Sequence, residues 1–500
     1  MAAMLMLGLA PALGLPLAAR AQAPASATDM TEAKAEAGTK AGTKAETATA
    51  PVPVPVPAHP AILFNRWQEN WAVLADKTVP REPFDGLKYI PLSPGNPGTY
   101  LSLGANLRER FETNNAPSFG TNPANPRDSY VISRLETHAD LHVGPVQAFL
   151  QLQSDFAPGK QVLSAVDSNR LDLEQAFIAL TQRVGPGTLK LRVGRQQFAF
   201  DLQRFVAARD GPNVRQSLDA LWGDYEVGPW RLIGYYSRPV ASRDRHPFDD
   251  ASSTHNLFYG VRVERHVWHG KELSAYWSRY TNDNAAYLQV RGAERRDVWD
   301  MRFAGKQGRL DWDLEAMGQS GRVGSTKIRA WAFGTLAGYR FAQTPMTPRI
   351  GLQVDGASGN RGNNSGGNGA GDTLGTFNPL FANGYYLNLA GYAAYVNFLH
   401  VKPSLTIAPT SRLTIMTALG LQWRMTTNDA IYTQPNIPVA RSAGNGTAWT
   451  GAYNQLRADW KISRHWSSAI EAVHFSIGNT LRSIRAHDSN YLGVELKYGW

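Results

Sequence analysis

Residues 188–227, TLKLRVGRQQFAFDLQRFVAARDGPNVRQSLDALWGDYEV, carry the reading that decides the fold. The stretch opens as an alternating strand in which Leu189, Leu191 and Val193 point one way and Lys190, Arg192 and Gly194 the other. It breaks into a loop bearing Arg195, Arg204, Arg209 and Arg215, then returns as a second strand with Leu221, Gly223 and Tyr225 on one face. One face of the first strand is aliphatic and the other cationic. A soluble sandwich would bury the aliphatic face, whereas a membrane barrel would turn it to lipid and hold the cations in water.

The same two-residue period runs through the chain from Tyr100. Leu101, Leu103, Ala105, Leu107 and Phe111 alternate with Ser102, Asn106, Arg108, Arg110 and Glu112. Val131, Leu135, Ala139, Leu141 and Val143 alternate with Arg134, Glu136, His138, Asp140 and His142. Leu456, Ala458, Trp460 and Ile462 oppose Gln455, Arg457, Asp459 and Lys461. Tight turns such as Gly144-Pro145, Gly185-Pro186-Gly187 and Gly228-Pro229 alternate with longer polar connections near 113–128, 156–170, 199–217, 239–254, 281–295, 358–391, 425–450 and 477–488. Strict alternation of short and long predicts an all-β, antiparallel up-and-down transmembrane barrel of about 18 strands, with turns on one side of the membrane and loops on the other. The last segment, Asn490–Trp500, places Leu492, Val494, Leu496, Tyr498 and Trp500 on one face, and resembles the assembly signal of bacterial outer-membrane barrels. Aromatics at strand ends (Tyr100, Trp222, Trp230, Tyr276, Trp277, Trp299, Trp423, Trp466, Tyr498) are expected to form interfacial girdles.

Composition agrees with this class. The 500 residues include 14 Trp, 19 Tyr and 19 Phe but no Cys, which excludes disulfide staples and thiolate metal sites. Past the N-terminus no apolar run of about 18 residues occurs, so the chain is not a helical membrane protein. The formal charge is +10; residues 1–98 hold eight Lys/Arg and eight Asp/Glu, so the whole excess belongs to residues 99–500 and favours an anionic partner. Residues 1–21 read as a cleaved secretory signal, apolar from Met4 to Leu17 with a small-residue site at Ala19–Ala21. Residues 22–60 form a low-complexity Ala/Lys/Glu and Pro-Val linker, expected to stay disordered or to act as a stiff periplasmic arm touching a partner. Residues 61–98 carry enough aromatic and aliphatic side chains to order as a lead-in or plug, and the barrel occupies 99–500.

Residues 188–221, with LRVGRQ (191–196) and GPNVRQSLDAL (211–221), resemble the signature of the alginate-export family of outer-membrane porins. VDGASGNRG (354–362), FNPLF (377–381) before a Tyr-rich stretch, and NDAIY (428–432) extend the likeness across most of residues 66–500. The resemblance implies an eighteen-stranded barrel with a cationic lumen, in the outer membrane of a Gram-negative bacterium, and passive export of an anionic polysaccharide.

A channel for a polyanion needs several spaced, weak cationic sites, since one tight pair would trap its cargo. Parity predicts Arg108, Arg110, Arg134, Lys190, Arg192, Arg457 and Lys461 in the lumen, with Arg195, Arg204, Arg209 and Arg215 at the loop side. Arginine suits the task because its planar fork binds carboxylates bidentately. The competing reading pairs these groups with Glu112, Glu136, Asp140 and Asp459 as wall-bracing networks, or gives the loop arginines to lipopolysaccharide phosphate. No cofactor or metal is expected: His138, Asp140 and His142 share a face but lack a third placed ligand, and GGNGAGD (366–372) fits neither a calcium repeat nor a phosphate loop. No nucleophile elbow or spaced triad suggests an enzyme. The expected function is thus an outer-membrane channel for an alginate-like uronate polymer, with small organic anions as alternative cargo and a barrel-borne hydrolase as the reading from another class. Lipid, lipopolysaccharide and the barrel-assembly machinery are the expected partners besides the solute; no nucleic acid is.

Overall fold

The computed structural model describes residues 59–267, 270–362 and 373–500. The signal, nearly all of the linker and GGNGAGD therefore lie outside the described residues. Eighteen antiparallel strands close into one barrel. They are β1 (Tyr100–Asn114), β2 (Asp128–Val143), β3 (Val146–Phe156), β4 (Asn169–Val184), β5 (Gly187–Gln196) and β6 (Leu218–Val227). There follow β7 (Trp230–Ala241), β8 (Asn256–Val267), β9 (Lys271–Ala286), β10 (Arg291–Gln307), β11 (Leu310–Val323) and β12 (Thr326–Arg340). The last six are β13 (Arg349–Ala357), β14 (Phe398–Thr410), β15 (Leu413–Trp423), β16 (Trp449–Lys461), β17 (Trp466–Ile477) and β18 (Ser489–Gly499). Each pairs with its sequence neighbours, and β18 returns to β1 from Asn106↔Gly499 to Asn114↔Tyr491, so no edge is left unpaired.

Alternation places the outward residues as expected. Leu135, Leu150, Leu221, Leu314, Leu456, Leu492 and Val494 stand exposed on the outer wall, while the intervening polar residues are buried inside. Two-residue turns carry Gly144 and Gly185 at φ +56° and +57°, the backbone a first hairpin position demands when Pro follows. Loop lengths depart from strict alternation at three places, the first being the loop-side β9–β10 connection of only residues 287–290. The β11–β12 connection on the loop side is only Gly324-Ser325, and the β12–β13 connection on the turn side spans 341–348. The polar stretch near 281–295 is mostly strand, since β9 and β10 run to Ala286 and from Arg291.

The girdle assignment needs correction at three aromatics. Tyr100, Trp222 and Tyr276 are interior, with 1%, 7% and 4% exposure. Their positions have the parity of the lumen residues, so Trp222 neighbours outward Leu221 and must itself point in. Trp230 and Trp299 are exposed outside, and Trp466 packs against Tyr498, tilted by 47° with ring centroids 4.7 Å apart, on the turn side. The Trp500 ring packs against Phe84 (5.5 Å) with the Lys88 ammonium 4.7 Å above it, instead of extending the lipid-facing row of β18.

Residues 59–98 lie against the turn-side mouth of the barrel. Trp71, Leu74 and Val79 form a small core with Tyr100, and Trp67 meets Phe177 edge-on at 5.7 Å. Arg66 donates to Asn106 Oδ1 (2.5 Å) and to the Trp500 carbonyl (2.8 Å), and pairs with Glu69 at 2.7 Å. Lys88 is fully buried over the Trp71 and Trp500 rings. Burial pushes its ammonium down to about 7, helped by the Arg66 charge and opposed by Glu69.

Candidate functional site: a strapped lumen

Two long loops turn into the barrel rather than out of it. The β5–β6 loop, 197–217, inserts Phe198 and Phe200 among Trp222, Tyr235 and Tyr276, with ring centroids 4.9–6.2 Å apart. Phe205 packs on Phe377 and Tyr395 of the β13–β14 loop, and Phe381 of that loop meets Phe258. The loops are stitched by backbone hydrogen bonds, Ala207 N–H to the Phe381 carbonyl (3.1 Å) and Phe381 N–H to the Phe205 carbonyl (3.0 Å). Asp201, Gln203 and Arg209 hold φ between +55° and +60°, a conformation that the surrounding contacts must enforce in residues with a Cβ. The result is a strap across the lumen.

Ion pairs anchor the strap at both ends. At one end Asp210 accepts from Arg134 Nη2 (2.5 Å) and from Arg215 Nε (2.9 Å), with Lys497 Nζ 3.5 Å away. Arg215 also pairs with Glu136 and, at 3.4 Å, Glu174; Arg108 donates to the Asp210 and Gly211 carbonyls and to Glu495 (2.6 Å). The cations Arg215, Lys497, Arg134 and Arg108 outweigh burial and hold the Asp210 carboxyl well below the usual range. At the other end Arg204, fully buried, pairs with Asp313 (2.5 Å) and Glu315 (2.7 Å) and donates to the Tyr386 hydroxyl (2.6 Å). Asp201 there receives Arg262 (2.6 Å) and Arg302 (2.8 Å).

The sequence-predicted cations divide by partner. Arg110 pairs with Glu112 (2.5 Å) and Glu471 (2.6 Å), and Arg457 with Glu471 and Asp459 (2.7 Å). Arg195, which lies within β5 rather than in the loop, pairs with Asp219 at 3.0 Å. Lys190 meets Glu226 at 2.7 Å in a half-exposed pair. Lys461 is exposed at the end of β16. Arg192 and Arg209 differ: among the described residues neither has a carboxylate within ion-pair distance. Arg192 lies over Trp67 (4.4 Å), Phe177 (5.3 Å) and Trp222 (5.6 Å) and donates to Gln196. Arg209 donates to the Leu380 carbonyl (3.1 Å) beside the Phe381 ring, and burial pulls its guanidinium below the usual value.

Sequence alone does not single out several anchors. Asp201 and Asp210 sit in a loop without period, whereas Arg262-x-Glu264 and Arg302, between Asp300 and Ala304 on β10, keep the alternation and were there to be found. His138 stacks near Phe149 (5.7 Å) and His142 pairs with Asp140 (2.9 Å), so the three-residue face is spent on packing and a local pair. Two other trios bring donor atoms within 4.8 Å of one another, His59/Glu82/Asp85 and Asp172/Asp249/Asp250. In the first, Arg464 already holds Glu82 (2.5 Å) and His59 pairs with Asp85 (2.8 Å).

A closed barrel with an apolar outer wall, girdle aromatics and internally folded loops is an outer-membrane channel of a Gram-negative bacterium. The family model for alginate export matches residues 99–495, and the chain belongs to that family. Its motif residues build the lumen: GPNVRQ forms one strap end, FNPLF supplies Phe377 and Phe381, and Asp429 of NDAIY accepts from the Asn360 N–H and Thr376 hydroxyl, each at 2.7 Å. Similar solved structures share the fold. Acinetobacter baumannii OccAB1 is 11% identical over 83% of this chain and 99% of its own, with a TM-score of 0.54. OccAB3 of the same organism gives 11%, 80%, 99% and 0.54, and Pseudomonas aeruginosa OccK11 (OpdR) gives 12%, 80%, 95% and 0.50. No curated protein matches the chain.

Proposed function

We propose that the channel passes an anionic solute, in the first place an alginate-like uronate polymer, by passive diffusion or export down its gradient and without catalysis. Membership of the alginate-export family carries this reading. It is supported by the cationic excess of residues 99–500 and by Arg192 and Arg209, two interior guanidinium groups without a carboxylate in ion-pair distance among the described residues. Cations lacking a fixed counter-charge can exchange weak contacts with a moving carboxylate, whereas braced ones hold the wall. In this reading Arg108, Arg110, Arg134, Arg204, Arg215 and Arg457 act first as braces and shape the path, and Arg192 and Arg209 touch the solute. The half-exposed Lys190 and the exposed Lys461 are secondary contacts, and Arg195 serves through Asp219.

The inward loops favour a second cargo, small organic anions taken up singly, because aromatic side chains fill much of the interior. Residues 490–500 are proposed to engage the barrel-assembly machinery, the outer wall to engage lipid and lipopolysaccharide, and residues 22–60 a periplasmic partner, after removal of 1–21. Planar-bilayer conductance tests the main reading: anion selectivity with block by mannuronate or guluronate oligomers supports the polymer. Block only by monomeric organic anions supports the second cargo, and cation selectivity overturns both.

A further inference from the structure

The outer wall carries a second charged feature, on β9–β12 where the loop-side connection is shortest. Cross-strand register aligns Trp277, Trp299, Gly318 and Trp331 in one outward row, the aromatic girdle of this sector. One outward position nearer the loops stand Arg279, Asp297, Ser320 and Arg329; one further stand Thr281, Arg295, Arg322 and Lys327. Asp297 is engaged by Arg279 (2.7 Å). Among the described residues no carboxylate lies within ion-pair distance of Arg295, Arg322, Lys327 or Arg329, all of them exposed. Arg295, Arg322 and Lys327 face one another directly across neighbouring strands, an arrangement that repels itself unless an anion sits among them.

The surface there is concave. Arg279, Arg295, Asp297, Gly321 and Arg322 line an open notch of about 470 Å³. Directly below it Trp299, Gly318, Arg329 and Trp331 border a hollow of about 320 Å³, in which a side chain added at Gly318 would meet nothing within 4 Å. A cationic notch just above an aromatic girdle, over an apolar hollow, matches a molecule with a phosphate head and an acyl chain.

Resting on the lipopolysaccharide contact proposed above for the outer wall and giving it a definite site, we propose that this sector binds a phosphorylated glycolipid of the outer leaflet, its phosphate among Arg295, Arg322, Lys327 and Arg329 and one acyl chain against Gly318 between Trp299 and Trp331. Each cation near a membrane surface adds to the attraction for an anionic headgroup. Reversing two of them, Arg295→Glu with Arg322→Glu, is expected to weaken retention of lipid A at least about tenfold.

The purified, delipidated barrel would be titrated with lipid A, dephosphorylated lipid A and inorganic phosphate, counting bound molecules by native mass spectrometry. Heat-modifiable gel mobility would verify that each variant is folded, and Arg265→Glu, remote on the turn side, would serve as a charge control. Lipid A retention that falls in the double variant and in Gly318→Trp, but not in Arg265→Glu, supports the site. Equal retention in the double variant overturns it, and so does equal binding of dephosphorylated lipid. If inorganic phosphate binds as tightly as lipid A, and Gly318→Trp leaves lipid binding unchanged, the notch is a free-anion site and the lipid assignment fails.

Discussion

Neutralising Asp210 should loosen the strap and tilt the channel toward anions. This carboxylate lies 6% exposed between Arg134, Arg215 and Lys497, and its loss leaves Arg134 with only Glu136, 3.8 Å away, and the Asn213 carbonyl. Removing one member of a buried pair costs roughly 3–5 kcal/mol. Asp210→Asn keeps an acceptor, and Arg215 keeps Glu136 and Glu174, so the lower end, about 3 kcal/mol, is the appropriate expectation. At about 1.4 kcal/mol per decade, that shifts the ratio of docked to undocked strap by roughly a hundredfold. The same change deletes a negative charge beside four cations. Single-channel recording should show more frequent and larger openings, and the reversal potential in a salt gradient should move toward the anion. Unchanged conductance and unchanged reversal potential in a folded, heat-modifiable Asp210→Asn barrel would refute the reasoning that Asp210 holds the 197–217 strap in place.

Further expectations follow from the same contacts. Arg192→Glu and Arg209→Glu should each lower anion selectivity severalfold in bilayer recordings, while Arg195→Glu, opposed by Asp219, should act mainly on stability; if selectivity survives all three, the 188–227 stretch is a family marker and not the filter. Gly334→Val should unseat Arg204, because a Cβ there would lie 2.5 Å from its Nε and 2.7 Å from the Tyr395 hydroxyl, and open-channel noise should rise with it. For Lys88, whose ammonium is held at about 7 when docked against an unfolded value of 10.5, the undocked state binds more protons in between. Docking of 59–98 should therefore strengthen as pH rises from about 7 to about 10.5 and stay weak below. The span corresponds to at most about 5 kcal/mol, reduced by the two indole faces that favour the cation. Limited proteolysis of the segment across pH 6–10 reads this directly, and Lys88→Met should abolish the dependence.

The outer wall was legible because lipid imposes a single rule on every second residue: Leu189, Leu221 and Leu492 were placed by counting alone. Interior parity is equally legible, and parity, not residue type, puts Trp222 and Tyr276 inside rather than in the girdle. The candidate site was legible only as a set of cations. Whether Arg134 braces or binds depends on Asp210, 76 positions away, and Arg204 depends on Asp313, 109 positions away. No local pattern encodes such pairings, because register and the inward turn of an aperiodic loop create them. The loop-side place of the β11–β12 connection is illegible for a related reason: Gly324-Ser325 looks like any tight turn until the strand count assigns it to the loop side.

Arg66 touches both sides of the barrel's seam, Asn106 on β1 and the backbone carbonyl just beyond β18. These two partners are brought together only when the strands most distant in sequence have zipped, so this clasp cannot form on a partly assembled sheet. The Arg66 clasp, although Arg66 precedes every strand, must therefore form last, and protection of the chain around Arg66 from protease is a timestamp for completed closure. A pulse-labelled time course should show heat-modifiable mobility appearing before, never after, that protection.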